Sequence, residues 1–584
     1  MICVKSKSKF SDTKRNLKIS YRFIRKRKKT VFFVIFLSLV LSLLSVAIPI
    51  FTAKLLLNLS NGFLFELVKI SGFIFAIELS RNIITRLMQF VYDKYMIDTV
   101  TEIQMEMFKE TLKIQTSDID KNTSGTFIDR INNDTNDIIG IFDTLISDFL
   151  DFLSNLGVLV AVIFVSFPMF IFFIVSSLTI SYISHLRRKN MFEKQKKYRK
   201  IREKKTGLIS EVVRGVKDIK LLNAEDGMLK ITEEELNKVN KENLLLNKTS
   251  RKYNYIYGNT RDLFDFLFIV IGVFLIYSNM LTIANFVILY TYRGRIENLL
   301  TYFNRIADRL KDFNLSASRV FEILEDGFKK ERNTGIDIEN VRGNIDFKGV
   351  YFTYDESNVL NDITFSISQG ERVGFVGASG SGKSTIFNLL TGLYEFQKGE
   401  ILIDGIDIRN VSLSSLRKNL SLIPQNPYIF NFSIRDNLIL SNRKVSDDEI
   451  ISSCKKAEIY DRIMEFEDNF NTEVGEGGVT LSGGEKQRLA IARSLIKNTN
   501  IILFDEATSA LDNITQNKIQ NAIYGLDKNK TILIIAHRLS TIINCDKIVV
   551  LNDGKIIDIG THEELLSRCK KYKELYKYEQ KNSN

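Results

Sequence analysis

Gly377-Ala378-Ser379-Gly380-Ser381-Gly382-Lys383-Ser384-Thr385 lies between an apolar run, Arg372 to Val376, and the stretch Ile386-Phe387-Asn388-Leu389-Leu390. The first run reads as a buried strand and the second as the opening of a helix. Strand, glycine loop and helix are the context that a phosphate-binding loop needs. Glycines let backbone N–H groups turn inward around a polyphosphate, and the helix N-terminus adds a favourable dipole. Lys383 is placed to reach the β- and γ-phosphates, and Ser384 to ligate Mg²⁺. The loop predicts nucleotide binding and leaves open what the nucleotide is for.

Length and charge narrow that question. The 584 residues exceed one domain, hydrophobic residues make up 45%, and the net charge is +12. Such a balance fits either nucleic acid or an anionic membrane surface. Cys3, Cys454, Cys545 and Cys569 show no metal-ligand spacing or obvious pairing, so they point to a reducing compartment. The first 30 residues are basic and lack the apolar core and cleavage site of a signal peptide. The Lys-, Asn- and Ile-rich composition suggests an AT-rich bacterial genome.

Hydropathy along the chain decides for the membrane. Residues 1–29 form a basic segment, with a candidate amphipathic surface helix over 14–29. Residues 30–325 carry six apolar stretches, at about 31–57, 63–92, 138–167, 169–187, 260–277 and 283–305. The first is long enough to span a bilayer and contains Pro49, a candidate kink. The connections near 58–62, 167–168 and 278–282 contain no Lys or Arg, whereas 14–29, 93–137 and 186–260 are rich in both. The positive-inside rule then puts the N-terminus, the long polar stretches and the C-terminal half in the cytoplasm. It also accounts for the positive charge without nucleic acid. The long polar stretches read as helices continuing the spans, turning around at Gly125–Asp134 and at Glu211–Lys220. Residues 326–342 read as a linker, and 343–578 as an α/β domain.

That domain offers the groups ATP hydrolysis requires. Ile501-Ile502-Leu503-Phe504 is a strand pattern ending in Asp505, a candidate Mg²⁺ ligand, and Glu506, placed to polarise a water. His537 follows the apolar run Thr531 to Ala536, on the ligand-binding edge of an α/β sheet. Leu481-Ser482-Gly483-Gly484-Glu485-Lys486-Gln487-Arg488 reads as a second glycine turn facing an anion at a helix N-terminus. His185 and His562 read as structural.

These motifs, in this order, resemble the ATP-binding cassette (ABC) transporter family, over nearly the whole chain. Leu481 to Arg488 is similar to the family's signature motif, Gln425 to its Q-loop and Mg²⁺ ligand, and Tyr354 to the aromatic that stacks on adenine. Ser509-Ala510-Leu511-Asp512 resembles the D-loop, His537 the switch histidine, and the two turnaround segments the coupling helices. Gly477 stands where the exporter loop usually has Arg, and Asn431-Phe432 replaces smaller residues. The resemblance implies a membrane all-α six-helix exporter-type transmembrane domain followed by an α/β P-loop NTPase cassette. It further implies ATP and Mg²⁺ as cofactors, multi-pass insertion in the plasma membrane, and a second half-transporter chain as partner. Leu481, Ser482, Gly483, Gly484 and Glu485 of one chain would then meet the ATP of the other, in a homodimer or heterodimer. Export of an amphiphilic, lipid-like, drug-like or peptide substrate is the expectation. Uptake of a metal chelate, a peptidase-transporter and a soluble ATPase acting on nucleic acid or ribosomes are the alternatives. The last conflicts with six charge-oriented spans, and the peptidase form with the lack of a Cys- and His-bearing domain ahead of the first span.

Overall fold

The computed structural model describes residues 2–60, 64–122, 124–297, 299–325, 327–332, 334–354, 357–475, 478–506, 527–536 and 538–583, with single positions between 516 and 525. The chain divides into two compact units: 1–111 with 125–327, and 112–124 with 328–584.

The first unit is helical. Its described elements are α1 (Ile2–Arg25), α2 (Lys28–Ser60), α3 (Leu64–Thr111), then α5 (Ser124–Asp129) after the short α4 (Thr116–Asp120) of the other unit, α6 (Thr135–Val165), α7 (Phe167–Arg214), α8 (Val216–Leu221), α9 (Glu225–Tyr277), α10 (Ile283–Glu297) and α11 (Leu299–Leu324). The pairs α2 with α3, α7 with α9 and α6 with α11 pack along their lengths. At 1.5 Å per residue, helices such as α7 and α9 far exceed the ~30 Å of a bilayer core. Among the described residues, one helix, Phe167–Arg214, contains a window long and apolar enough to cross a membrane. α2 continues through Pro49, and Pro168 sits in the first turn of α7 after Ser166, which is extended at φ −164°.

The basic segment is not a free surface helix. Arg22 pairs with Glu106 at 2.6 Å and Arg27 with Glu102 at 2.8 Å, both acids lying on α3. Phe23 is buried. Such half-exposed pairs each contribute under about 1 kcal/mol, so Phe23 is the stronger anchor.

The first turnaround differs from the sequence reading. The chain reverses between Thr111 and Ser124, around α4, and Gly125–Asp134 belongs to the returning helix, with a π-turn at Arg130–Asp134. The reversal is fixed within the second unit by backbone pairing: Gln115 N–H donates to Lys329 O at 2.8 Å, and Glu331 N–H to Lys113 O at 2.6 Å. Gly125 thus lies in the first turn of the returning helix rather than at the reversal. The second expectation overlaps the observed turn, where Gly215 separates α7 from α8.

The second unit holds two sheets. Strands β1 (Ile345–Tyr354), β2 (Ser357–Ile367), β4 (Lys398–Ile403) and β5 (Ile406–Asp407) form an antiparallel sheet in the order β2-β1-β4-β5. Strands β3 (Arg372–Val376), β6 (Leu420–Ile423), β7 (Ile501–Asp505), β8 (Thr531–Ile535), β9 (Lys547–Asn552) and β10 (Lys555–Gly560) form the other, ordered β10-β9-β3-β8-β7-β6. Neighbours from β9 to β6 are parallel, so β3, β8, β7 and β6 end on one edge. Their near-continuous Val, Ile, Leu and Phe content is that of strands covered on both faces. Helices α12 (Lys383–Leu390), α13 (Leu413–Asn419), α14 (Ile434–Leu438), α15 (Asp447–Lys456), α16 (Tyr460–Met464) and α17 (Gly483–Lys497) lie in this unit. Cys454, Cys545 and Cys569 are buried, and burial pushes the Cys454 thiol up to about 12.

Asp404 ties the start of β1 to the β4–β5 turn. Its carboxylate accepts from the backbone N–H groups of Arg342 (2.6 Å), Gly343 (3.2 Å) and Asn344 (2.9 Å), and from Asn344 Nδ2 (2.9 Å). Asp404→Ala should cost about 3 kcal/mol, because charge-assisted bonds are lost and several backbone donors are stranded. The measurement is the thermal midpoint of the full chain in detergent; an unshifted midpoint would remove Asp404 as an anchor.

Candidate nucleotide site

The carboxyl edge of the parallel sheet gathers the predicted residues. β3 delivers Gly377–Thr385, β7 delivers Asp505 and Glu506, and β6 delivers Gln425. Register keeps these ends level: Phe375 lies beside Ile535, Phe504 beside Ile534 and Ile423 beside Phe504. A crevice beyond the carboxyl ends of such strands is where open α/β sheets take ligands.

The loop has the backbone its glycines were expected to give. Gly382 caps α12 at φ +98°, a left-handed conformation that a side chain resists. A Cβ on Gly377 would lie 2.3 Å from Leu551 O and 2.7 Å from Ser381 Oγ. Ser379 and Gly380 are exposed at the loop crest, with Ala378 beside them. Ser381 is buried, and its Oγ has no hydrogen-bond partner. An orphaned buried hydroxyl in a glycine loop that opens a helix fits an anion.

Lys383 and Thr385 are buried. Lys383 Nζ donates to Gly377 O at 2.9 Å and Ala378 O at 3.0 Å. Burial lowers its pKa, against the opposing pull of Glu506 and Asp505. Ser384 Oγ donates to Asp505 Oδ1 at 3.0 Å. A hydroxyl and a carboxylate oxygen at this spacing are hard donors of the kind Mg²⁺ takes, with waters and phosphate oxygens completing its shell.

Glu506 stands one residue past β7 with φ +51° and is 9% exposed. Its N–H donates to Ile535 O at 3.0 Å, which holds this left-handed turn. A non-glycine residue there costs on the order of 1 kcal/mol and is a recurrent mark of functional positions. Gln425 Nε2 donates to Glu506 Oε2, so the two are brought together.

Tyr354 ends β1. Its hydroxyl accepts from Asn388 Nδ2 of α12 at 3.3 Å, and its ring meets Tyr394 edge-on at 4.9 Å and Phe352 at 4.6 Å. Tyr394 in turn donates to Asp120 of α4. Tyr394, Asn388 and Gln487 were not singled out from the sequence. Gln487 Nε2 donates to Gln425 O at 3.1 Å, tying α17 to the Gln425 loop.

The Leu481–Glu485 stretch is built differently from the expected glycine turn. Gly483 and Gly484 open α17 itself, Ser482 is its N-cap, and Ser482 and Glu485 form a reciprocal capping box. Leu481 is buried in a hydrophobic cluster, whereas Ser482 and Gly483 are exposed. Burial raises the Glu485 pKa, but the Ser482 N–H and Arg462, at 2.8 Å, win and hold it below the usual range. The exposed N-terminus of this 15-residue helix suits an anion. His537 and the Ser509–Asp512 stretch lie outside the described residues, as does Gly477. His562 is structural: its Nδ1 lies 2.8 Å from the Tyr572 hydroxyl.

Comparisons with known proteins agree with this geometry. The profile described as "ABC transporter transmembrane region" matches residues 31–296, and that described as "ABC transporter" matches 360–509. The chain is 42% identical over 289 residues to the "Heavy metal tolerance protein" of Schizosaccharomyces pombe, covering 49% of this chain and 35% of that protein. It is 40% identical over 303 residues to the "ATP-dependent lipid A-core flippase" of Haemophilus ducreyi, covering 51% and 52%. It thus spans about half the length of these curated relatives, or less. A solved structure, "Structure of a bacterial Atm1-family ABC exporter with ATP bound", is similar over 94% of this chain and 98% of that chain, with TM-score 0.80 and 25% identity. Two matched regions in one chain, the glycine loop, and the adjacent acids at the end of β7 lead to one conclusion: the chain belongs to the ATP-binding cassette transporter family, with an exporter-type transmembrane region fused ahead of an ABC ATPase domain.

Proposed function

We propose that this chain is a half-transporter that couples ATP hydrolysis to export of an amphiphilic, lipid-like, drug-like or peptide substrate. The observation that carries the reading is the convergence of Lys383, Ser384, Asp505, Glu506 and Gln425 on one sheet edge. Lys383 and the loop N–H groups hold the β- and γ-phosphates. Ser384, Asp505 and Gln425 hold Mg²⁺, which when bound neutralises charge on those phosphates. Tyr354 stacks on the base. Glu506 orients and polarises the attacking water, and His537 reads the γ-phosphate. Ser482 and Gly483 meet the ATP of a second chain, and Ser509–Asp512 line that contact. The working unit is a homodimer, or a heterodimer with a related chain, with its N-terminus and cassettes cytoplasmic and six spans in the plasma membrane. ATP favours the closed pair of cassettes and so shifts the spans between two accesses.

The test is purified protein in liposomes, with ATP turnover and ATP-dependent movement of lipids, dyes and peptides measured in both directions. Turnover without movement of any of them would leave an ATPase and remove the exporter; movement inward would favour uptake. Chelating Mg²⁺ with EDTA should reduce turnover by more than about 100-fold. Turnover that persists through chelation would overturn the roles of Ser384 and Asp505.

A further inference from the structure

The Tyr354 ring is held more closely than a side chain at a strand end requires. It stands nearly perpendicular to Phe352 and Tyr394, at 88° to each, with centroids 4.6 and 4.9 Å away. Phe352 and Tyr394 also meet, at 6.0 Å and 71°. Edge-to-face contacts are directional, so they fix the angle of a ring as well as its place. The Tyr354 hydroxyl accepts from Asn388 Nδ2 at 3.3 Å. Asn388 lies on α12, the helix that Lys383 opens, so one helix carries both the loop lysine and the tether of the ring.

The backbone ahead of Tyr354 is held too. The Gln397 side chain pairs with residue 353 as a neighbouring strand would: Thr353 N–H donates to Gln397 Oε1 at 3.0 Å, and Gln397 Nε2 donates to Thr353 O at 3.3 Å. Gln397 N–H donates in turn to Tyr351 O at 3.1 Å. Tyr394 and Gln397 both come from the connection between α12 and β4, residues 391–397. Tyr394 is itself anchored, since its hydroxyl donates to Asp120 of α4. Burial first, and then that bond, raise the pKa of the Tyr394 phenol, which keeps it a donor.

Open space is what makes these contacts matter. Phe352, Tyr354, Tyr394, Gln397 and Asp120 border a cleft of about 640 Å³. A phenol free to turn beside such a cleft would sample several rotamers, and a base that stacked on it would have to freeze one of them. A ring ordered in advance avoids that cost.

We propose that Tyr394 and Asn388, with Gln397 behind them, are positioning residues for the nucleobase: they hold the Tyr354 ring in its stacking pose before nucleotide arrives, and so set the affinity for nucleotides that carry a base. The inference rests on the reading of Tyr354 as the stacking platform and names what makes that platform work.

The test measures the affinity of the full chain in detergent for the non-hydrolysable nucleotide AMP-PNP with Mg²⁺, by calorimetry, in double-variant cycles. Tyr354→Ala should weaken binding by at least about fivefold, as loss of a stacking ring does. Tyr394→Leu should weaken it by at least about threefold in the native chain. In a Tyr354→Ala chain the same change should cost less than about 1.5-fold, because it acts only through that ring. Tyr394→Leu at native affinity overturns the inference. So does a loss of equal size in the Tyr354→Ala chain, which is what a merely structural role for Tyr394 predicts. If a ring variant does not fold, Asn388→Ala is cycled instead with Tyr354→Phe, which lacks only the hydroxyl. Asn388→Ala should then cost at least about twofold in the native chain and nothing measurable in the Tyr354→Phe chain, and no loss, or an equal loss in both, overturns the inference. A folded Tyr354→Ala chain that binds at native affinity defeats the platform reading itself, and the inference falls with it, which separates the two failures.

Discussion

Glu506→Gln lowers steady-state ATP turnover by about 10²–10⁴-fold while the chain still binds ATP: this is the expected result of removing the proposed base. The substitution is nearly isosteric. It keeps an oxygen to accept from Gln425 Nε2 and keeps the backbone bond from residue 506 to Ile535 O. The left-handed backbone at this position is therefore still held. The phosphate cradle is untouched, since Lys383 is bonded to the loop carbonyls and Ser384 to Asp505. What is lost is the negative charge proposed to polarise a water. ATP that binds without being cleaved should hold two chains together, so the variant should elute as an ATP-stabilised dimer or show slowed nucleotide release. Turnover at the native rate would sink the role of Glu506. Lost turnover together with lost ATP binding would point to a damaged fold instead.

How much of this was legible depended on how local the signal is. The glycine loop, its strand and its helix are contiguous, so residues 372–390 could be read without any tertiary knowledge. The same holds for Asp505 and Glu506 at the end of an Ile-Ile-Leu-Phe strand. The Ser482–Glu485 capping box was also written in the sequence, as Ser followed three residues later by Glu. The two adjacent glycines mask it by suggesting a turn, although glycines can open a helix. Gly125 misled in the same way. The true reversal is fixed by pairing of residues 113–115 with 329–331, a contact over two hundred residues apart in sequence that no local pattern announces. The π-turn at Arg130–Asp134 and the contacts of Tyr394 with Tyr354 and Asp120 are likewise consequences of packing. The contact of Asp265 with Arg293 belongs to this class too, since only coordinates say which charged side chains meet.

The proposed division of the site between two chains has a sharper consequence than any single substitution. Lys383→Ala removes the ammonium proposed to hold phosphate. Gly484→Asp places a carboxylate in the first turn of α17, where it repels an incoming phosphate. The second change is not expected to harm the fold, because Gly484 is not at positive φ and an acid near a helix N-terminus favours the helix. Each variant alone should lose about 100-fold or more in turnover, since charge-assisted bonds to phosphate are removed or opposed. Co-assembled, the two should recover. In the mixed dimer one site pairs the native Lys383 loop of the Gly484→Asp chain with the native signature helix of the Lys383→Ala chain, and that site carries neither lesion. Turnover of the mixture should exceed that of either variant alone by at least about tenfold, a difference of about 1.4 kcal/mol in the barrier. If each chain instead completed its own site, every site in the mixture would carry a lesion, and mixing would change nothing. An unrecovered mixture, with dimer formation verified by differential tags, would therefore exclude the shared site. Recovery would assign Leu481 to Glu485 to the partner's nucleotide.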